Sequence, residues 1–202
     1  MKHAEAVEEL IRQASGLGVV LDDAQASLLR AFEDLLLERA VPLGFVAESD
    51  AGRIRERHLL DCLRASAAVR SSDRTAADLG SGAGLPGIPA AIASPELAVR
   101  LVEVRPKRVA FLELVVERLG LRNVEVIQGR SEDQTGPFDL CFARAYAAPE
   151  DSWRQAEPLL GPVGRLVYFA GERTAVEVPG ASVELLPAAL ASAGPLAIIG
   201  RQ

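Results

Sequence analysis

The residues of this 202-residue chain best placed to do chemistry fall in one stretch, AADLGSGAGLPGIPAAI, residues 76–92. Gly80, Gly82, Gly84 and Gly87 lie within eight residues, and Asp78 stands two residues ahead of the first. A glycine loop after an apolar run lets the backbone adopt positive φ and approach a ligand closely. The helix behind such a loop offers free N–H groups to a carboxylate or phosphate. Gly82, Gly84 and Gly87 satisfy G-x-G-x-x-G, so a nicotinamide dinucleotide is one reading. Pro86 inside that pattern and Asp78 in the run before it favour another, a ligand that carries positive charge. A second acid, Glu103, follows Asp78 by 25 residues at the end of the next apolar run. There it can accept hydrogen bonds from both ribose hydroxyls. A tight turn with no ligand is the structural alternative.

Other chemistries find less support. The chain has two cysteines, Cys62 and Cys141, and two histidines, His3 and His58. None has metal-ligand spacing, so no metal is expected. Neither histidine lies in a hydrolase motif. No apolar run approaches the ~18 residues of a membrane span, and the N-terminal MKHAEAVEEL lacks the apolar region of a signal peptide. The expectation is a soluble, cytoplasmic protein without a membrane partner. Its 49% hydrophobic and 25% charged residues are an ordinary globular balance.

The elements around the loop follow from periodicity. Helices are expected over 4–14, from Asp22 or Asp23 to about Ala40, and over about 53–69. Apolar Ala24, Leu28, Phe32, Leu35 and Leu36 share one side of the second, and Ile54, Leu59, Leu60, Leu63 and Ala67 one side of the third. Then the texture changes. TAADL, AVRLVEV, NVEVIQ, FDLCFAR and GRLVYFA read as strands, separated by helices near 87–94, 106–119 and 150–158. Pro106 starts one of these helices and Gly120 stops it. Strands alternating with helices predict a mostly parallel α/β sheet. ASVELLP and PLAIIGR, with no helix pattern between them, predict a C-terminal antiparallel hairpin. The expected division is an N-terminal helical extension, residues 1–70, packed on a main domain of residues 71–202.

Formal net charge is −6. Residues 1–50 carry 4 basic and 10 acidic groups, and the remainder is neutral with 18 of each. Within that remainder, 53–74 holds six arginines against three acids, and 100–122 holds five arginines and Lys107 against three acids. Both zones suit phosphate contacts or solvated helix faces.

The pattern Asp78-x-Gly80-x-Gly82-x-Gly84 is similar to the S-adenosylmethionine loop of Rossmann-like class I methyltransferases. RHLLDCL, DLGSGAGLPGIP, KRVAFLELV and FARAYA, in this order and spacing, resemble the bacterial glucose-inhibited division protein B family over about residues 22–170. The resemblance implies guanine-N7 methylation of small-subunit ribosomal RNA, naked or in the assembled small subunit, with S-adenosylmethionine as cofactor. It implies that Gly80 and Leu85 line the cofactor pocket, that Ser131 and Glu132 of GRSED lie at the adenine, and that Arg144 of FARAYA faces the reacting end. An arginine there can instead be paired with an acid such as Glu132 or Asp139. Two departures stand out. VPLGFVAE replaces a usual Asn-Leu-Thr stretch, and Ala170 precedes Gly171 where the family has a lysine. They keep open a methyltransferase of the same fold acting on a small molecule or protein, or a non-catalytic cofactor-binding module.

Overall fold

The computed structural model describes residues 2–171, 175–188, 190 and 193–202. Helices α1 (Lys2–Ser15), α2 (Asp23–Leu35) and a short α3 (Asp61–Leu63) precede the first strand. Asp22 starts α2 with a capping box: its Oδ1 accepts from the Gln25 N–H at 2.7 Å, and Gln25 Oε1 accepts from the Asp22 N–H at 2.9 Å. The sequence placed Ala24, Leu28 and Phe32 on the buried face of α2. In the fold the face is turned: Ala24 is exposed while Ala26 and Leu29 join Phe32 inside. Here helix α2 packs against α1 and against helices that follow the strands, so the buried stripe is wider than one neighbour would require.

The expected single helix over 53–69 is broken into a 3₁₀ turn (Glu48–Arg53), a π turn (Arg55–Leu60), α3 and a second 3₁₀ turn (Arg64–Ala68). A second π turn, Leu36–Ala40, extends α2. Such turns are uncommon and often accompany functional sites.

The sheet is built from β1 (Thr75–Leu79), β2 (Ala98–Glu103), β3 (Val124–Gln128), β4 (Phe138–Arg144), β5 (Leu160–Phe169), β6 (Ala181–Leu186) and β7 (Leu196–Arg201). Their order is β3-β2-β1-β4-β5-β7-β6. β1 to β5 run parallel and β7 runs antiparallel to both β5 and β6, which is the expected terminal hairpin. The crossovers carry α4 (Gly87–Ala93), α5 (Pro106–Leu119) and α6 (Pro149–Ala156). Pro106 opens α5, and Gly120 closes it in the left-handed region at φ 63°.

Alternation along the strands divides the core. Ala76, Leu140, Phe142, Val167 and Phe169 face a cluster shared with α1, α2, α4 and α5. Ala77, Cys141, Ala143, Leu166 and Tyr168 face a smaller cluster with Trp153 and Ala156 of α6. The N-terminal helices therefore bury Leu10, Leu29, Phe32 and Leu36 completely in the same apolar body as the sheet. Each such side chain contributes about 2 kcal/mol, several times an exposed ion pair such as Arg12–Glu9.

One buried polar link adds to this. Arg165 of β5 donates to both Asp73 oxygens at 2.7 and 3.2 Å and to the Ala68 carbonyl, with both side chains about 5% exposed. It ties the chain just before β1 to the sheet. Asp73→Ala strands that guanidinium, and a loss of about 3–5 kcal/mol is expected in urea unfolding. Asp22→Ala, which removes an exposed cap, costs about 1 kcal/mol. Equal losses for the two variants would contradict this account of the Arg165 link.

Candidate functional site

The site lies where β1 turns into α4, beyond the carboxyl ends of the parallel strands, the usual ligand position in open α/β sheets. The chain leaves β1 at Leu79 and reverses through Gly80 at φ 70°. A Cβ on Gly80 would stand 2.7 Å from Tyr146 Cδ2, so backbone meets ring there without room for a side chain. The loop is then tied to β2. The Ser81 N–H donates to the Val102 carbonyl at 3.0 Å, and the Gly82 N–H donates to Glu103 Oε2 at 3.0 Å. Glu103 Oε1 accepts from the Arg105 N–H, also at 3.0 Å. Arg108 stands 3.5 Å from Oε2 and stacks over Phe45.

Asp78 works from below. It is 1% exposed, and its Oδ2 accepts from the Gly87 N–H at the start of α4, at 3.0 Å. Burial pushes its carboxyl up to about 7 against the pull of that N–H, Ser81 and Arg144. A Cβ on Gly87 would run into Leu101 and Asp78 itself, so α4 sits directly on β1 and β2.

Two cavities meet at Gly80. One, of about 270 Å³, is lined by the loop from Gly80 to Ala83, by Leu85 and by Arg108, His58 and Arg144. The other, of about 160 Å³, is lined by Glu103, Ser131, Glu132, Gly129 and Tyr146. The first wall offers positive charge from Arg108 and Arg144; the second offers carboxylates, a hydroxyl and the Arg130 guanidinium. A ligand with a carboxylate at one end and hydroxyl or amino groups at the other fits that donor set.

Arg144 ends β4, and its guanidinium is held from the N-terminal side. Nε donates to Asp61 Oδ2 at 3.3 Å, and Nη2 donates to the Arg57 carbonyl at 3.2 Å and meets His58 Nδ1 at 3.1 Å. The Phe169 ring lies 5.9 Å beneath. Its acid partner is therefore Asp61, not Glu132 or Asp139. Asp139 instead accepts from the Arg74 and Thr75 N–H groups at the opposite end of β4. The next residue, Ala145, takes φ 51°, which swings the chain away so that Arg144 keeps its place.

Of the residues expected from sequence, Gly80, Gly82, Leu85 and Arg144 line the larger cavity, and Glu103, Ser131 and Glu132 line the smaller. Asp78 and Gly84 stand behind the wall. Asp78 holds α4, and a Cβ on Gly84 would press on Ile88 at 2.7 Å. Ser131 is buried, whereas Glu132 is exposed with Gln155 at 3.4 Å. Sequence reasoning missed Phe45 and Asp50. Phe45 carried a signal in its distance from any helix pattern, in the loop after Pro42; Asp50 carried none. Trp153 is core of the α6 face, while Tyr146 is the aromatic that reaches the site. Among the described residues no group of three or more His, Cys, Asp or Glu is gathered for a metal ion, and no helix is long and apolar enough to cross a membrane.

The fold is that of methyltransferases. The chain superposes on a methyltransferase from Geobacter sulfurreducens with TM-score 0.58 and 17% identity, covering 86% of this chain and 87% of that one. It superposes on the SAH-bound methyltransferase PaMTH1 from Podospora anserina with TM-score 0.59 and 14% identity, covering 90% and 89%. In sequence it is 36% identical over 183 residues to the ribosomal RNA small subunit methyltransferase G of Mycolicibacterium gilvum, covering 88% of this chain and 78% of the relative. It is 37% identical over 169 residues to that of Streptomyces coelicolor, covering 82% and 70%. The GidB family model, rRNA small subunit methyltransferase G, matches residues 25–187. That span holds the glycine loop, both cavities and Arg144, and the chain belongs to the GidB family of rRNA methyltransferases.

Proposed function

We propose that this protein transfers a methyl group from S-adenosylmethionine to N7 of a guanine in small-subunit ribosomal RNA. The observation that carries the reading is the placement of Arg144 in the wall of the cavity formed by the family's own glycine loop. S-adenosylmethionine, when bound, supplies an electrophilic methyl on a positively charged sulfur. Glu103, Ser131 and Glu132 would hold its adenosine, and the loop from Gly80 to Leu85 its amino-acid end.

The chain's own task is then alignment. Guanine N7 presents a lone pair and no proton, so the acceptor needs no general base. That suits a site whose nearby thiol is inert: Cys62 is fully buried, and burial pushes it up to about 12. His58 is occupied on both ring nitrogens. Holding the two reactants in line while excluding water can remove roughly 7–11 kcal/mol of the barrier at best. Arg144 uses Nε and Nη2 for the protein, and Nη1 would be left to donate to guanine O6 or to a phosphate. Bidentate grip on O6 and N7, the usual arginine–guanine contact, is incompatible with attack by N7.

Incubation with methyl-labelled S-adenosylmethionine tests the reading, with naked small-subunit RNA in one arm and assembled small subunits in another. Label at a guanine N7 in either arm is expected. Transfer that survives RNase treatment of a cell extract would move the acceptor to a small molecule or protein, the reading that Ala170 in place of a lysine keeps in view. No transfer in any arm would remove the catalytic claim. Arg144→Ala is expected to lower kcat by roughly 10²–10³-fold, with cofactor affinity little changed by calorimetry. Gly80→Ala should do the reverse. It forces a Cβ onto Tyr146 at positive φ, and S-adenosylmethionine affinity should fall at least tenfold. Unchanged affinity in Gly80→Ala would show that the loop does not hold the cofactor.

A further inference from the structure

Outside the loop, a continuous polar chain begins at Asp50. Asp50 Oδ2 stands 3.1 Å from His58 Nε2, and His58 Nδ1 stands 3.1 Å from Arg144 Nη2. Arg144 Nε continues to Asp61 Oδ2, whose other oxygen accepts from Arg64. All of these side chains are at most 19% exposed.

The chemistry at each link has one solution. A guanidinium donates and cannot accept. His58 Nδ1 must therefore be the lone-pair nitrogen, and the ring proton must sit on Nε2, where it donates to Asp50. Asp50 acts as a carboxylate that fixes which nitrogen of His58 faces Arg144. We infer that Asp50 is a positioning residue for methyl transfer: through His58 it holds the Arg144 guanidinium in the orientation that meets the acceptor. The inference rests on the proposed methyl transfer for its kinetic consequences alone.

The arrangement is sensitive to protons. If His58 takes a second proton, Nδ1–H points at Nη2–H, and two cations face each other 3.1 Å apart. The charged groups around the ring are Arg144 from β4, Asp50 from the 3₁₀ turn, and Arg57 from the same π turn. Arg53 also reaches Asp50, at 3.7 Å. Burial first, then Arg144, hold His58 below its ordinary 6.5, and Asp50 opposes them. The folded state therefore binds this proton less readily than the unfolded chain. Stability is full above about 6.5 and is lost as pH falls through the window below it. Turnover should fall on the same acid limb as Arg144 loses its acceptor.

With only two histidines in the chain, ring-nitrogen NMR of the whole protein reads His58 directly, without any activity. The expected wild-type spectrum is a neutral Nε2–H tautomer at pH 7. Arg144→Ala should raise the His58 pKa, and Asp50→Asn and Asp50→Ala should lower it. In the transfer assay, Asp50→Ala should lower kcat roughly tenfold or more with the KM for S-adenosylmethionine unchanged. Asp50→Asn, whose amide oxygen still accepts from Nε2–H, should fall between it and wild type, with its acid limb moved to lower pH. Unfolding midpoints identify a variant that has merely lost its fold. An Nδ1–H tautomer in the wild type, or Asp50 variants with unaltered His58 titration and unaltered kcat, would overturn the inference. Absence of transfer by the wild type with the expected NMR would instead reject the proposed reaction.

Discussion

A guanidinium placed at the end of a sheet, most of it out of water, must have every donor it turns inward satisfied. Arg144 meets that requirement with partners from the chain that precedes the sheet. Its partners are Asp61, the Arg57 carbonyl and His58, all on the broken helical segment that precedes β1. The need to satisfy this one side chain links the parallel sheet, where the cofactor loop sits, to the N-terminal helices. That segment is a π turn over Arg55–Leu60 running into α3. Residues 57, 58 and 61 lie within about 100° of one another around a helix axis and bring a backbone carbonyl, an imidazole and a carboxylate to the same guanidinium.

The glycine loop divides its labour in a related way. Gly84 and Gly87 make room for packing, against Ile88 in one case and Leu101 with Asp78 in the other. Gly80 brings bare backbone against Tyr146 at the junction of the two cavities. The acids also differ. Asp78 is sealed under the loop and holds α4, whereas Glu103 spends one lone pair on each of two backbone N–H groups and still faces a cavity. A carboxylate has about four acceptor positions, so anchoring the loop does not disqualify Glu103 from meeting hydroxyls.

This separation explains what could be seen in the sequence. All seven strands, the helices at 87, 106 and 149, and the terminal hairpin were legible because each is bounded by a local signal: an apolar run, Pro106, or Gly120. The glycine loop was legible because only glycine tolerates those contacts. The helix over 53–69 was misread as regular, since its periodicity fits an α-helix and nothing in it marks the π and 3₁₀ turns. Arg57 and Asp61, four apart and readable as a helical pair, also part company. Arg57 turns to Asp50 and Asp61 to Arg64 and Arg144. Arg64, three residues from Asp61, is readable in local spacing; Arg144, from β4, is not.

A net charge of −6 argues at first sight against an RNA substrate, and the arrangement of the charges resolves the difficulty. The acids that create the excess lie in residues 1–50, and four of the ten are paired in place among the described residues. Glu33 binds Arg30 and Arg55, Asp34 binds Arg30, Glu9 binds Arg12, and Asp50 binds His58 with Arg57 and Arg53 beside it. Paired charges project little field beyond the ~8 Å over which salt screens them at physiological ionic strength. At the carboxyl end of the sheet the balance differs. Arg105 and Lys107 are exposed just past Glu103, and Arg130 is 71% exposed beside the smaller cavity, 3.8 Å from Glu132. Arg108, by contrast, is committed to Glu103 and Phe45 and is part of the wall. The phosphate backbone of an approaching strand would meet the exposed cations at the rim, not the average of the whole chain, and the sign of the total says little about which end of the molecule an RNA can touch.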